Sequence, residues 1–101
     1  MSLVSSIPNY KGWSLDIHST HPDDVDAPDA QFWIEVRHVK LRHIILRSQK
    51  HDNDIGPMCV IEAMHEIIQT AGQQLPRLYR ESFIDFTSGF IAQLMIEATK
   101  G

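Results

Sequence analysis

The sequence predicts an α+β fold: a small three-stranded, mainly antiparallel sheet followed by two helices packed on one face (β-β-β-α-α). Apolar residues recur at every second position before about residue 50, and at every third or fourth position after it. Polar, proline-containing or aspartate-rich segments at 19–31 and 51–54 separate the periodic runs. An amphipathic sheet and amphipathic helices bury their apolar sides against each other, which gives the α+β class.

Length and composition set the limits of the interpretation. The 101 residues, 43% of them hydrophobic, predict one domain with a leader at 1–9, the sheet at 10–50 and a helical part at 54–100. The net charge of −4 argues against a dedicated nucleic-acid binder. The single cysteine, Cys59, favours a reducing compartment. With no signal peptide and no membrane-spanning run evident, we expect a cytoplasmic protein with no membrane partner.

Three alternating runs predict the strands, and each places its apolar residues on one face. A hairpin keeps two apolar sets on one face only if its register has the right parity. Pairing Val36 with Ile44 satisfies this and leaves a short loop at 39–41, although a longer loop with a bulge also fits. The inward-facing residues are Trp13, Leu15 and Ile17 in the first run, Phe32, Ile34 and Val36 in the second, and Ile44 and Leu46 in the third.

Two helices follow. Residues 51–54 offer capping side chains, and Pro57 suits the first position of a helix. Gly72 is typical of the position at which a helix ends. Pro76 opens a second helix that reaches about Thr99, with Gly89 leaving its continuity open. The apolar arc of the first helix comprises Val60, Ile61, Met64, Ile67, Ile68 and Ala71, and a narrow stripe on the second comprises Tyr79, Phe83, Phe86, Phe90 and Leu94.

The last helix carries more apolar surface than one contact requires. A second stripe includes Ile84, Ile91 and Met95 and lies roughly 100° round the helix from the first. Packing against the first helix is one explanation for it. The other is contact with another protein, most simply a second copy in a two-fold homodimer, and these three residues are the predicted self-association surface.

A second candidate surface is the uncovered sheet face. Trp33, Arg37, His43 and Arg47 are predicted to lie there as a surface for a partner. A basic, partly aromatic face can also hold the phosphates and bases of a nucleic acid, which gives an alternative function for the basic hairpin 37–50. The plainer interpretation is a solvated face on which acidic neighbours balance the basic charges.

Three features of the sequence are candidate sites of chemistry. Six histidines, with His18 and His21 flanking an aspartate-rich loop, suggest metal binding, but their spacing matches no closed zinc pattern. His65-Glu66 resembles the start of the H-E-x-x-H motif, but Gln69 replaces the second histidine. Cys59 lies in a first helical turn but borders the apolar arc. We therefore predict no catalytic residue, no metal ligand and no cofactor.

Together these observations predict a small non-enzymatic protein-interaction module that is homodimeric and acts as an adaptor, inhibitor or regulator. Its partners would be a second copy and another protein. A nucleic-acid-binding domain is the alternative, and a metal-dependent enzyme ranks third.

Overall fold

A single antiparallel sheet forms the first half of the chain in the computed structural model, which describes residues 3–52 and 56–100. The strands are β1 (Leu3–Tyr10), β2 (Trp13–Ser19), β3 (Gln31–His38), β4 (Leu46–Arg47) and β5 (His51–Asp52). Their order in the sheet is β1-β2-β3-β4, and β5 pairs with the other end of β3. The α+β class is confirmed, but the prediction of three strands was wrong, because part of the expected leader is a strand and the segment before the helices adds another.

The turn between β1 and β2 explains how the leader joins the sheet. Tyr10 pairs with Trp13, and the two residues between them both have positive φ, 50° at Lys11 and 92° at Gly12. Two central residues with positive φ match the right-handed twist of paired strands, as in a type I′ turn. This tight turn places β1 directly beside β2 at the edge of the sheet.

The register of β2, β3 and β4 places the predicted apolar residues on one face. Leu15 pairs with Val36, and both side chains are fully buried. Val36 pairs with Leu46 rather than with Ile44, so the predicted pairing was wrong by two residues while its parity was right. The longer of the two predicted loops is therefore the one observed, and within it Leu41 turns inward and is buried.

The helices are α1 (Pro57–Gln74) and α2 (Arg77–Lys100). Pro57 lies in the first turn of α1, as predicted, whereas Asn53 and Asp54, two of the predicted capping residues, lie outside the described residues. Gly72 does not end the helix. The residue that ends it is Leu75, which is extended (φ −86°, ψ 135°) because the following proline disfavours a helical conformation there.

Both helices lie on the inner face of the sheet, but they contact it differently. Helix α1 packs directly on β3 and β4, whereas α2 packs mainly on α1. Helix α2 reaches the sheet through side chains, such as the edge-to-face contact of Phe83 with Trp13 at 5.3 Å. It is continuous through Gly89. Neither helix, over the residues described, is long and apolar enough to cross a membrane.

Candidate functional site

The open face of the sheet has a buried carboxylate at its centre. Glu35 lies in the middle of β3, and its side chain is only 3% exposed. Arg47, its cross-strand partner, donates from Nη2 at 2.6 Å and from Nε at 3.1 Å to one carboxylate oxygen. Arg37 donates to the other oxygen at 3.3 Å. A carboxylate buried among cations can remain ionised because its lone pairs are satisfied.

The pKa of Glu35 reflects this environment. Burial acts to raise the pKa because it disfavours the charged form. The hydrogen bonds and charge of Arg47 oppose burial, followed by the hydrogen bond of Arg37 and the charge of His18, and their combined effect leaves the pKa of Glu35 below its ordinary value. Nε2 of His18 lies 3.1 Å from Oε2 of Glu35. The carboxylate is therefore ionised at neutral pH and holds the cations around it.

Trp33 lies beside this cluster with neighbours over its ring. The imidazole of His18, its cross-strand partner, is stacked nearly parallel to the indole, with 5.3 Å between ring centroids and 7° between planes. Nζ of Lys50 lies 5.4 Å from the indole centroid, a cation–π contact. The indole ring thus has partners within the chain, which reduces the area it offers for stacking with a base.

The structure brings together three of the four residues predicted to form a partner surface. Trp33, Arg37 and Arg47 surround Glu35 on the open face, whereas His43 is exposed in the loop between β3 and β4. His43 was misplaced because the hairpin register differs by two residues from the predicted one. Sequence reasoning did not identify the convergence on Glu35. The alternation along β3 could have indicated it, because this pattern places the carboxylate of Glu35 between the indole of Trp33 and the guanidinium of Arg37 on one face.

A second cluster of rings closes one end of the core. His38, at the end of β3, is buried and makes edge-to-face contacts with Trp13 at 4.7 Å and with Tyr79 of α2 at 5.0 Å. Nδ1 of His38 accepts a hydrogen bond from the backbone N–H of Lys40 at 3.1 Å. The indole N–H of Trp13 donates to Oγ of Ser82 at 2.9 Å. These contacts fix the start of α2 against the sheet.

The predicted self-association residues differ in exposure. Ile84 and Met95 are each 56% exposed. Ile91 is partly buried and packs against the core. On the side of α2 that faces the core, Phe83 and Phe86 are buried, as the aromatic stripe predicts. Helix α2 therefore carries apolar side chains on its outward side as well as on the side that it buries.

The remaining candidates for chemistry are dispersed. His51 pairs with Glu66 at 2.6 Å, and Glu66 also accepts a hydrogen bond from the backbone of Gln49, so the glutamate beside His65 ties β5 to α1. Cys59 is partly buried against the core. Within residues 3–52 and 56–100, no three His, Cys, Asp or Glu side chains are grouped so as to hold a metal ion.

Comparison of the chain with protein-family models, with curated proteins and with solved structures finds no match.

Proposed function

We propose that this chain is a non-enzymatic protein-interaction module that forms a two-fold homodimer through the outward side of α2. The observation that carries the proposal is the exposure of Ile84 and Met95 on a helix whose other side packs on the core. The two residues are 11 positions apart, which is three helical turns, so they share one side of α2. Large apolar side chains grouped on a surface are typical of a contact with another protein.

The spacing on α2 fits an antiparallel pairing of two copies. In a two-fold arrangement centred between Ile84 and Met95, each Ile84 lies beside Met95 of the other copy. The exposed small residues Ser88 and Ala92 lie between them in sequence, about 40° and 80° round the helix from Ile84. Small residues at a helix crossing let the two backbones approach closely.

The dimer would present two copies of the open sheet face to a partner protein. On each face Glu35 holds Arg37 and Arg47, and Trp33 is covered by neighbours of the same chain. Side chains that are ordered before binding lose less conformational entropy when a partner docks on them. An adaptor, inhibitor or regulator is a role that this arrangement supports.

Nucleic-acid binding by the basic hairpin has less support. Arg37 and Arg47 both contact the Glu35 carboxylate, so part of their charge is neutralised within the chain. The indole of Trp33 is stacked with His18 and contacted by Lys50. Recognition of single strands relies on available cations and uncovered aromatic rings together.

Sedimentation equilibrium tests the proposal. We expect the wild-type chain to be a dimer at about 100 µM, a concentration at which an association in the micromolar range is nearly complete. The substitutions Ile84→Gln and Met95→Gln, made together, replace apolar contacts with amides that must be desolvated on association. They should raise the dissociation constant by at least about tenfold.

Met58→Gln is the matched control, because Met58 is 61% exposed but lies at the start of α1 rather than on α2. It should leave the dissociation constant unchanged. A wild-type chain that remains monomeric at 100 µM, or equal weakening by both sets of substitutions, would contradict the proposal.

A further inference from the structure

A basic cavity of about 360 Å³ lies at the end of the sheet where the β1–β2 turn meets the loop after β3. Its volume falls within the range of small-molecule sites. Two of the lining side chains are arginines, and no described lining residue is acidic. The residues that line it are Gly12, Ser14, Arg37, His38, Val39 and Arg42.

The two arginines differ in what holds them. Arg37 is tied on one side to the Glu35 carboxylate, which fixes its guanidinium at the edge of the cavity. Arg42 is exposed and forms no ion pair with a carboxylate of the described residues. A guanidinium presents a planar fork of N–H donors that matches the oxygens of a carboxylate or a phosphate. The cavity therefore combines a fixed guanidinium with one whose charge is not compensated by a described neighbour.

His38 adds a ring N–H donor to this wall. The side chain of His38 is largely buried, and its Nδ1 accepts a hydrogen bond from the backbone N–H of Lys40. Because Nδ1 is the acceptor, the ring proton is on Nε2. This Nε2–H has no hydrogen-bond acceptor among the described residues. A ligand oxygen in the cavity would accept a hydrogen bond from it.

Gly12 lets the imidazole of His38 pack directly against the β1–β2 turn at this corner of the cavity. A Cβ at position 12 would lie 2.5 Å from Nε2 of His38, closer than such atoms approach. The positive φ of Gly12, 92°, also suits glycine and strains other residues. The absence of a side chain at this position allows the His38 ring to lie against the turn and to line this wall of the cavity.

From these contacts we infer that the cavity binds a small oxyanion, that is, the phosphate or carboxylate group of a small molecule. The chain as a whole carries a net charge of −4, which repels a long polyanion but is a weak obstacle to a small ligand beside two guanidiniums. The inference does not depend on self-association through α2, because the cavity lies within one chain.

NMR titration of the ¹⁵N-labelled chain with pyrophosphate, and separately with citrate, tests this inference at constant ionic strength. We expect the backbone amides of Gly12, Val39 and Arg42 to shift and to saturate below about 10 mM ligand. Arg42→Gln should raise the dissociation constant at least about tenfold, because it removes a charge-assisted hydrogen bond. Saturation with pyrophosphate alone assigns a phosphate, with citrate alone a carboxylate, and with both a general oxyanion site.

Lys50→Gln is the control, since it also removes one positive charge but lies beside Trp33, away from the cavity. It should leave the dissociation constant unchanged. The inference is overturned if neither anion saturates, or if Lys50→Gln and Arg42→Gln weaken binding equally. It is also overturned if a single-stranded oligonucleotide binds while both small anions do not.

Discussion

The substitution Glu35→Gln tests whether the open face is organised by one charge. The amide keeps the size of the side chain but removes the negative charge that accepts hydrogen bonds from Arg47 and Arg37. A hydrogen bond to a charged group contributes about 1.5–3 kcal/mol. The arginine side chains are 59% and 49% exposed, so water solvates them once the charge is gone and the loss is reduced. We expect a net loss of about 2 kcal/mol in the free energy of unfolding.

The loss in the free energy of unfolding caused by Glu35→Gln should become smaller as the pH falls. Because the folded pKa of Glu35 lies below its unfolded value, the carboxylate stabilises the fold fully above the unfolded pKa of about 4.3. That contribution is lost as the pH falls through the lowered folded pKa. The difference in stability between wild type and Glu35→Gln should therefore be largest near neutral pH and shrink towards about pH 3.

Urea unfolding followed by tryptophan fluorescence measures both effects, at a low protein concentration at which self-association is negligible. A loss of about 2 kcal/mol lowers the urea midpoint by roughly 1–2 M for a domain of this size. Glu62→Gln, at an exposed carboxylate on α1, is the control and should change stability by less than about 0.5 kcal/mol. Equal stability of wild type and Glu35→Gln at pH 7, or a difference that stays constant down to pH 3, would refute the argument.

Three further substitutions test the packing. Ser82→Ala removes the acceptor of the Trp13 indole N–H, and the free energy of unfolding measured in urea should fall by about 1–2 kcal/mol; no change would contradict the importance of this bond. Gly89→Ala adds a methyl group with no atom within 4 Å and replaces glycine with a better helix former. The free energy of unfolding of dilute protein should therefore rise by up to about 1 kcal/mol, and a decrease would contradict this. Gly12→Ala places Cβ 2.5 Å from Nε2 of His38 at a φ of 92° and should lower the thermal midpoint by several degrees, unless the turn relaxes without cost.

The sequence was sufficient to predict the α+β class and the inward faces of β2 and β3, because strict alternation in both strands reports burial directly. It was not sufficient to predict β1. The segment from Leu3 to Tyr10 shows little alternation and contains Pro8, and it is a strand because the turn at Lys11 and Gly12 holds it beside β2. Tertiary pairing of this kind overrides local propensity.

The candidate site could likewise be predicted only in part from the sequence. Alternation in β3 places Trp33, Glu35 and Arg37 on one face, and this much follows from the sequence. The convergence of Arg47 and His18 on Glu35 depends on the register of two neighbouring strands, which a pattern of period two fixes only to within an even shift. The cavity beside His38 depends on where a turn and a loop meet, which alternation does not report.

Isotope-filtered NMR on a mixture of labelled and unlabelled chains tests the proposed homodimer most directly. The account predicts intermolecular contacts between the methyl groups of Ile84 in one copy and Met95 in the other, at concentrations where sedimentation shows a dimer. A dimer whose intermolecular contacts lie elsewhere, or a chain that tumbles as a monomer at about 1 mM, would contradict it.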